Sequence, residues 1–230
     1  MQAEFYKFPS TPHLAWLGRN EVRGDKIMSM EEAKEFLAGN LVVEEKIDGA
    51  NLGISLGPSQ EPIFQNRGSV LAGPHAGQWK PLRYWAEKHN SVLRKHLDHH
   101  LILFGEWCYA KHSIFYTQLP DYFIGFDVYD LRQSKFWSTD RRDELLSRMG
   151  LSVVPVVFKG ECCMGDLVAM LAGRSLYSES PREGLYLRRE HGPVLISRAK
   201  LVNPSFTQAI HTHWSKAPFQ ANQLMSAPWH

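Results

Sequence analysis

Apolar positions along the chain recur with two periods, and the switches between them divide it into elements. "SMEEAKEFLA", residues 29–38, opens with a capping box of Ser29 and Glu32 and predicts a helix. Strands are expected at 41–48, 51–57 and 61–66, the last two joined by the turn "GPSQEP". Leu82, Trp85, Ala86, Val92, Leu93 and Leu97 recur at helical spacing within 79–97. Apolar runs follow at 101–109 and 122–130, then a capped helix from Thr139 to Met149 and a strand at 152–158. A short helix over 164–172, strands near 185–190 and 193–199, and a helix after Pro204 complete the pattern. The elements lack a regular βαβ rhythm. They predict a mixed or antiparallel α+β fold rather than a doubly wound one.

Polar residues interrupt several of the apolar strands. The clearest case is "VVEEKIDGANLGISL", residues 42–56, where Lys46, Asp48 and Asn51 stand among Val42, Val43, Ile47, Leu52 and Ile54. Others are Arg67 in "QNRGS", Glu106 in "LILFGEW", Asp127 in "YFIGFDVYD", Glu183 in "PREGLYL", and Arg198 and Lys200 in "LISRAKLV". Any one of them alone fits the solvent face of a half-buried strand. Together they imply a shared polar site, because charges are rarely buried without partners.

Composition narrows the class without naming a reaction. A chain of 230 residues, 43% hydrophobic and 22% charged, has the make-up of a soluble globular protein able to bury a sizeable core. Its formal net charge of +2 neither demands nor excludes a nucleic-acid partner, since a local patch decides that. No run approaches the roughly 20 apolar residues of a membrane span, and the polar opening is not a signal peptide. Three cysteines, Cys108, Cys162 and Cys163, suit reduced thiols in a cytoplasm and are too few for a four-cysteine zinc site. Neither a P-loop nor a Rossmann fingerprint is present. "HLDHH", with His96, Asp98, His99 and His100, has metal-ligand residue types but ends a charged helix and reads as a solvated face. His211 and His213 lack a partner motif. Basic residues cluster at Arg132–Arg142 and Arg182–Arg198 among Phe136, Trp137, Tyr177 and Tyr186, a composition suited to a phosphate backbone.

Taken in order, "EKIDGAN", "FGEW", "YFIGFDVYD", "EGLYL" and "RAKLV" resemble the five nucleotidyltransferase motifs of ATP-dependent polynucleotide ligases. They are most like those of the nick-sealing phage and protist RNA ligases, whose lysine motif Lys46, Asp48, Gly49 and Asn51 match. "KFPSTPHL" and "GEWCYAKHSIFY" also look like small bacterial and phage RNA ligase-family proteins. The likeness runs from about residue 7 to 205. It implies an adenylation domain over 1–205, of mostly antiparallel sheets flanked by helices with a nucleotide pocket between them. Relatives add a further domain at this point; with thirty residues after Lys200, a short helical tail at 206–230 and no OB-fold domain are expected.

The resemblance also implies a chemistry. Lys46 would attack the α-phosphorus of ATP, expel pyrophosphate, carry AMP and pass it to an RNA 5′-phosphate; a 3′-hydroxyl would then attack that phosphate and displace AMP, a sequence suited to RNA repair. A free lysine has a pKa of about 10.4, so under about a thousandth is nucleophilic near pH 7. Burial and nearby cations are expected to favour the neutral amine. Lys200 and Arg198 would hold the triphosphate, with Lys200 the firmer catalytic assignment because relatives usually carry lysine at both positions. Asp48, Glu106 and Glu183 would hold Mg²⁺ or Mn²⁺, largely through its waters. Phe126 would stack on adenine, Glu45 would read the adenine edge, and Arg67 and Asn51 would contact ribose and phosphate. Glu44 is expected on the other strand face, where it would matter much less. Nothing in the sequence indicates a protein partner. A DNA or mixed-strand ligase, a GTP-using capping enzyme, and a binding module that no longer seals ends are the alternatives.

Overall fold

A computed structural model describes residues 5–19, 26–73, 75–208 and 218–226, except the side chains of Thr207 and Gln208. Two antiparallel sheets form the frame. The first has the strand order β10–β9–β1–β8 and the second the order β3–β2–β4–β5–β6. The strands are β1 (Leu41–Lys46), β2 (Ala50–Leu56), β3 (Pro62–Gln65), β4 (Leu101–Trp107), β5 (Phe123–Asp130) and β6 (Lys135–Phe136). They continue with β7 (Ser152–Val153), β8 (Val156–Gly160), β9 (Gly184–His191) and β10 (Val194–Val202). β7 joins the second sheet parallel to β5. The strand expected at 152–158 is therefore two, broken at Val154–Pro155 and shared between sheets.

Helices α1 (Met30–Leu37), α2 (Leu82–His96), α3 (Thr139–Met149), α4 (Met164–Leu171) and α5 (Pro204–Gln208) lie where the periodicity places them. Ser29 and Glu32 form the expected capping box on α1. The larger core packs α2 and α3 against the second sheet around Trp85, Trp107, Phe123 and Leu146. A smaller core sets α1 and α4 against the first sheet around Phe36, Val43, Leu167 and Leu187. β1 is therefore covered on both faces. That is why its acidic pair is buried: Glu44 is 0% exposed and Glu45 2%.

Residues 218–226 run extended against the loop that follows β4, with bridges Ala110 to Ala221 and Leu119 to Leu224. "HLDHH" ends α2 with Asp98 and His99 exposed, and His100 lies 4.0 Å from Asp130. His211 and His213 fall outside the described residues. Among the described residues no helix is long and apolar enough to cross a membrane.

Candidate active site

The chain leaves the first sheet at Lys46 and enters the second at Ala50, so the turn Ile47–Gly49 stands where the sheets part. Gly49 is needed there: a Cβ would lie 2.7 Å from the Trp107 carbonyl oxygen and 3.0 Å from Glu106 Cγ. A cavity of about 330 Å³ opens beside this turn. Lys46, Glu45, Asn51 and Arg67 line it, together with Glu106, Phe126 and Lys200. Strand pairing explains the convergence. Lys46 lies opposite Gly184, Lys200 opposite Tyr186, and Asn51 opposite Glu106. Gly184 leaves room for the lysine, since a Cβ there would lie 3.4 Å from Lys46 Cδ and 2.7 Å from the Leu201 carbonyl oxygen.

Lys46 Nζ pairs with Glu183 Oε2 at 2.5 Å. Burial alone would lower the lysine pKa, but Glu183, Glu106 and Asp48 outweigh it and hold the ammonium charged well above its usual range. The expectation that burial and cations keep Lys46 neutral is thus reversed, because its nearest charges are carboxylates. Burial pushes the Glu106 carboxyl up to about 8; Lys46 opposes the shift, while Glu183 and Asp48 add to it. Glu183 rises to about 7, again mainly by burial, with Lys46 opposing and Asp48 adding. The three carboxylates crowd one ammonium. They do not converge tightly enough to ligate one ion directly, and no such metal cluster occurs among the described residues. Their excess negative charge fits a hydrated divalent cation.

Asp48 itself stands beside the cavity rather than on its lining. Its Oδ2 accepts the amides of Ser113 (2.6 Å) and Ile114 (3.1 Å), while its own N–H donates to Tyr116 Oη at 2.8 Å. Three cavity-lining groups keep buried acceptors without a hydrogen bond: Glu44 Oε2, which has only the Arg188 guanidinium at 3.9 Å, Glu45 Oε1 and Asn51 Oδ1. Leaving such atoms unmet costs about 1–3 kcal/mol each, so the cavity is shaped for a ligand rich in N–H or O–H donors. Burial also raises the Glu45 carboxyl, against bonds from Ser175 and the Leu176 amide.

Behind the cavity lies a charged network that joins the sheets. Arg142 Nη2 pairs with Glu44 Oε1 at 2.6 Å, and Arg188 Nη1 with Asp127 Oδ1 at 2.5 Å. Both arginines also donate to the Phe126 carbonyl oxygen, at 2.6 and 3.2 Å, which fixes the backbone of the expected adenine-stacking residue. Arg198 does not line the cavity. Its Nη1 donates to Asp127 Oδ2 (3.1 Å) and Tyr186 Oη (3.2 Å), and the guanidinium lies over the Phe8 and Phe136 rings. Glu44 shares the pleat face of Lys46, contrary to expectation, as residues two apart on a strand must. Of the basic clusters suggested for a phosphate backbone, Arg142 and Arg188 are instead fully buried and Phe136, Trp137 and Tyr177 are core residues, whereas Arg132 and Lys135 are exposed. Phe8 and Tyr186 line the cavity without having been singled out for it. "KFPSTPHL" carries the signal for Phe8; Tyr186, two residues beyond Gly184, could be found by strand alternation.

A sequence profile described as RNA ligase matches residues 39–202, well over half of the 230. The chain belongs to the RNA ligase family. The fold agrees. A Naegleria gruberi RNA ligase solved with PPi superposes with a TM-score of 0.58 at 18% identity, covering 76% of this chain and 53% of that one. A mutant of that ligase with AMP and Mn gives the same four figures. Another mutant, with ATP and Mn, gives a TM-score of 0.56 at 18% identity, with coverage of 76% and 53%. This member of the family thus spans about half the length of those ligases and shares their nucleotidyltransferase fold. No curated protein matches the sequence.

Proposed function

We propose that the protein is an ATP-dependent RNA ligase that joins 5′-phosphate and 3′-hydroxyl RNA ends through a lysyl-AMP at Lys46 and an RNA-adenylate. The observation that carries the reading is the position of Lys46: a strand-borne amine in a cavity between two sheets, touching Glu183 and crowded by Glu106 and Asp48. In this reading Glu45 Oε1 and Asn51 Oδ1 meet N–H and O–H donors of the nucleoside, Phe126 offers its ring to the base, and Arg67 and Lys200 face the phosphates. Arg198 acts from behind, orienting Asp127 and Tyr186.

The nucleophile must lose a proton before it attacks. Glu183 Oε2, already in contact with Nζ and with its carboxyl near 7, is the acceptor in reach. A Mg²⁺ or Mn²⁺ ion held through water by Asp48, Glu106 and Glu183 would offset the carboxylate charge that keeps Nζ protonated, and that of the triphosphate. Lys46 Nζ then bonds to the α-phosphorus as the bond to pyrophosphate breaks. RNA repair in a reducing cytoplasm suits such an activity, and no protein partner is invoked.

Incubation with Mn²⁺ and ATP should add the mass of one AMP at Lys46, and GTP should not. Adduct formation by Lys46→Ala would overturn the assignment. Four nicked duplexes with RNA or DNA on either side, and a single-stranded RNA, then test sealing. We expect an RNA 3′-hydroxyl strand to be required and salt to weaken joining, since the grip is mostly on phosphates. Equal sealing of an all-DNA nick would make the protein a DNA ligase.

A further inference from the structure

We infer that the segment 218–226 is a positioning element for Asp48, acting through Asn222 and the loop after β4. This rests on the ligase reading above. The loop 108–119 forms no ladder with either sheet, yet many of its backbone groups find partners elsewhere. The segment supplies many of the partners: Lys111 N donates to Gln220 O (2.9 Å), Leu119 N to Gln223 O (3.0 Å), Gln223 N to Tyr116 O and Met225 N to Leu119 O (both 2.9 Å).

Asn222 is the centre of this seam. It is 2% exposed. Its Oδ1 accepts the Tyr116 amide at 2.9 Å, and its Nδ2 donates to the carbonyl oxygens of Cys108 (2.8 Å) and Ala110 (3.3 Å). Its backbone N–H donates to Tyr109 O at 2.9 Å. One side chain thus ties both ends of the loop's first turn. A buried amide with its donors and acceptor all engaged fixes geometry more strictly than packing alone.

What the loop holds is Asp48. Tyr116, whose amide Asn222 binds, is fully buried and takes the Asp48 N–H on its hydroxyl oxygen. Ser113 and Ile114, three and two residues earlier, place both their amides on Asp48 Oδ2. The two bonds to one oxygen set the carboxylate rotamer, two residues from Lys46. The loop has a second anchor, through Thr117 N to Tyr177 O and Ser178 Oγ to Phe115 O. That anchor holds Phe115 and Thr117, while the amide of Tyr116, between them, is held by Asn222. Asn222 touches nothing in the cavity, so it is a positioning residue.

The test uses the full chain and three measurements: thermal melting, amide hydrogen exchange, and Lys46 adenylation across a Mn²⁺ series. Asn222→Ala should speed exchange at Asp48, Ser113 and Ile114. It should raise the Mn²⁺ needed for half-maximal adenylation by about tenfold or more, as loss of an outer support to a ligand typically does, with a smaller loss at saturation. In an Asp48→Asn background the same substitution should cost nothing further, because the two act in series. Tyr116→Phe, which keeps the amide bond to Asn222 but removes the hydroxyl, should shift the Mn²⁺ dependence in the same direction, and it carries the test if Asn222→Ala does not fold. Equal losses in both Asp48 backgrounds, an unchanged Mn²⁺ midpoint, or unaltered exchange at the three amides would overturn the inference. A wild-type protein that takes no AMP would defeat the ligase reading instead, with the exchange measurement still deciding the positioning claim.

Discussion

At the scale of single residues, the burial of charge separates what sequence can and cannot disclose. Lys46, Asp48, Glu106 and Glu183 stand out because each interrupts an apolar strand, and they do meet around one amine. Glu44 looks the same in the sequence but serves differently: it is 0% exposed and closes on Arg142, with Arg188 at 3.9 Å. Partners from α3 and β9, some 98 and 144 positions onward, are invisible to local pattern reading. Removing one member of a buried ion pair costs about 3–5 kcal/mol, because the remaining charge loses its partner. Glu44→Ala should therefore lower unfolding free energy by about that amount in urea titration, whereas Glu31→Ala, on the exposed face of α1, should leave the midpoint in place. Equal midpoints for the two variants would show that the network contributes little.

At the scale of elements, helices and strands were legible and their sharing between sheets was not. The periodicity that marks α1 to α4 and the strands depends on neighbours three, four or two residues away. The split of 152–158 into β7 and β8 depends instead on which distant strand each half meets, β5 or β1. The close contact of β4 with β5 shows the same dependence. The pairing shifts register between Phe104 and Gly105, and a Cβ on Gly105 would lie 2.3 Å from the Phe123 ring and 2.8 Å from the Ile124 carbonyl oxygen. Backbone cannot yield as a flexible side chain can. Gly105→Ala should cost about 1–3 kcal/mol, the usual range for overpacking, and it should also disturb the neighbouring Glu106. Gly73→Ala, where nothing lies within 4 Å, should be nearly silent in the same denaturation experiment.

At the scale of the whole molecule, the site charge couples to folding. The Glu106 and Glu183 carboxyls, raised from 4.5 to about 8 and about 7, bind protons more tightly folded than unfolded. Their contribution to stability is complete below about pH 4.5 and is lost as pH rises through 7 to 8. Melting temperatures at pH 5.5 and 8.0 should thus differ less in Glu106→Gln than in wild type, and Mn²⁺ should raise the wild-type value more at the higher pH. An identical pH difference in both proteins would mean that Glu106 ionises freely. The other molecule-wide feature is the arginine and carboxylate network between the sheets. Strands β1, β9 and β10 are tied to β5 by Glu44, Arg188, Arg198 and Asp127, and α3 is tied in by Arg142. A cleft riveted along its back has a fixed aperture: it admits a nucleotide without opening like a hinge. Loading then proceeds without a change of overall shape, so X-ray scattering should give one radius of gyration for the protein with and without nucleotide.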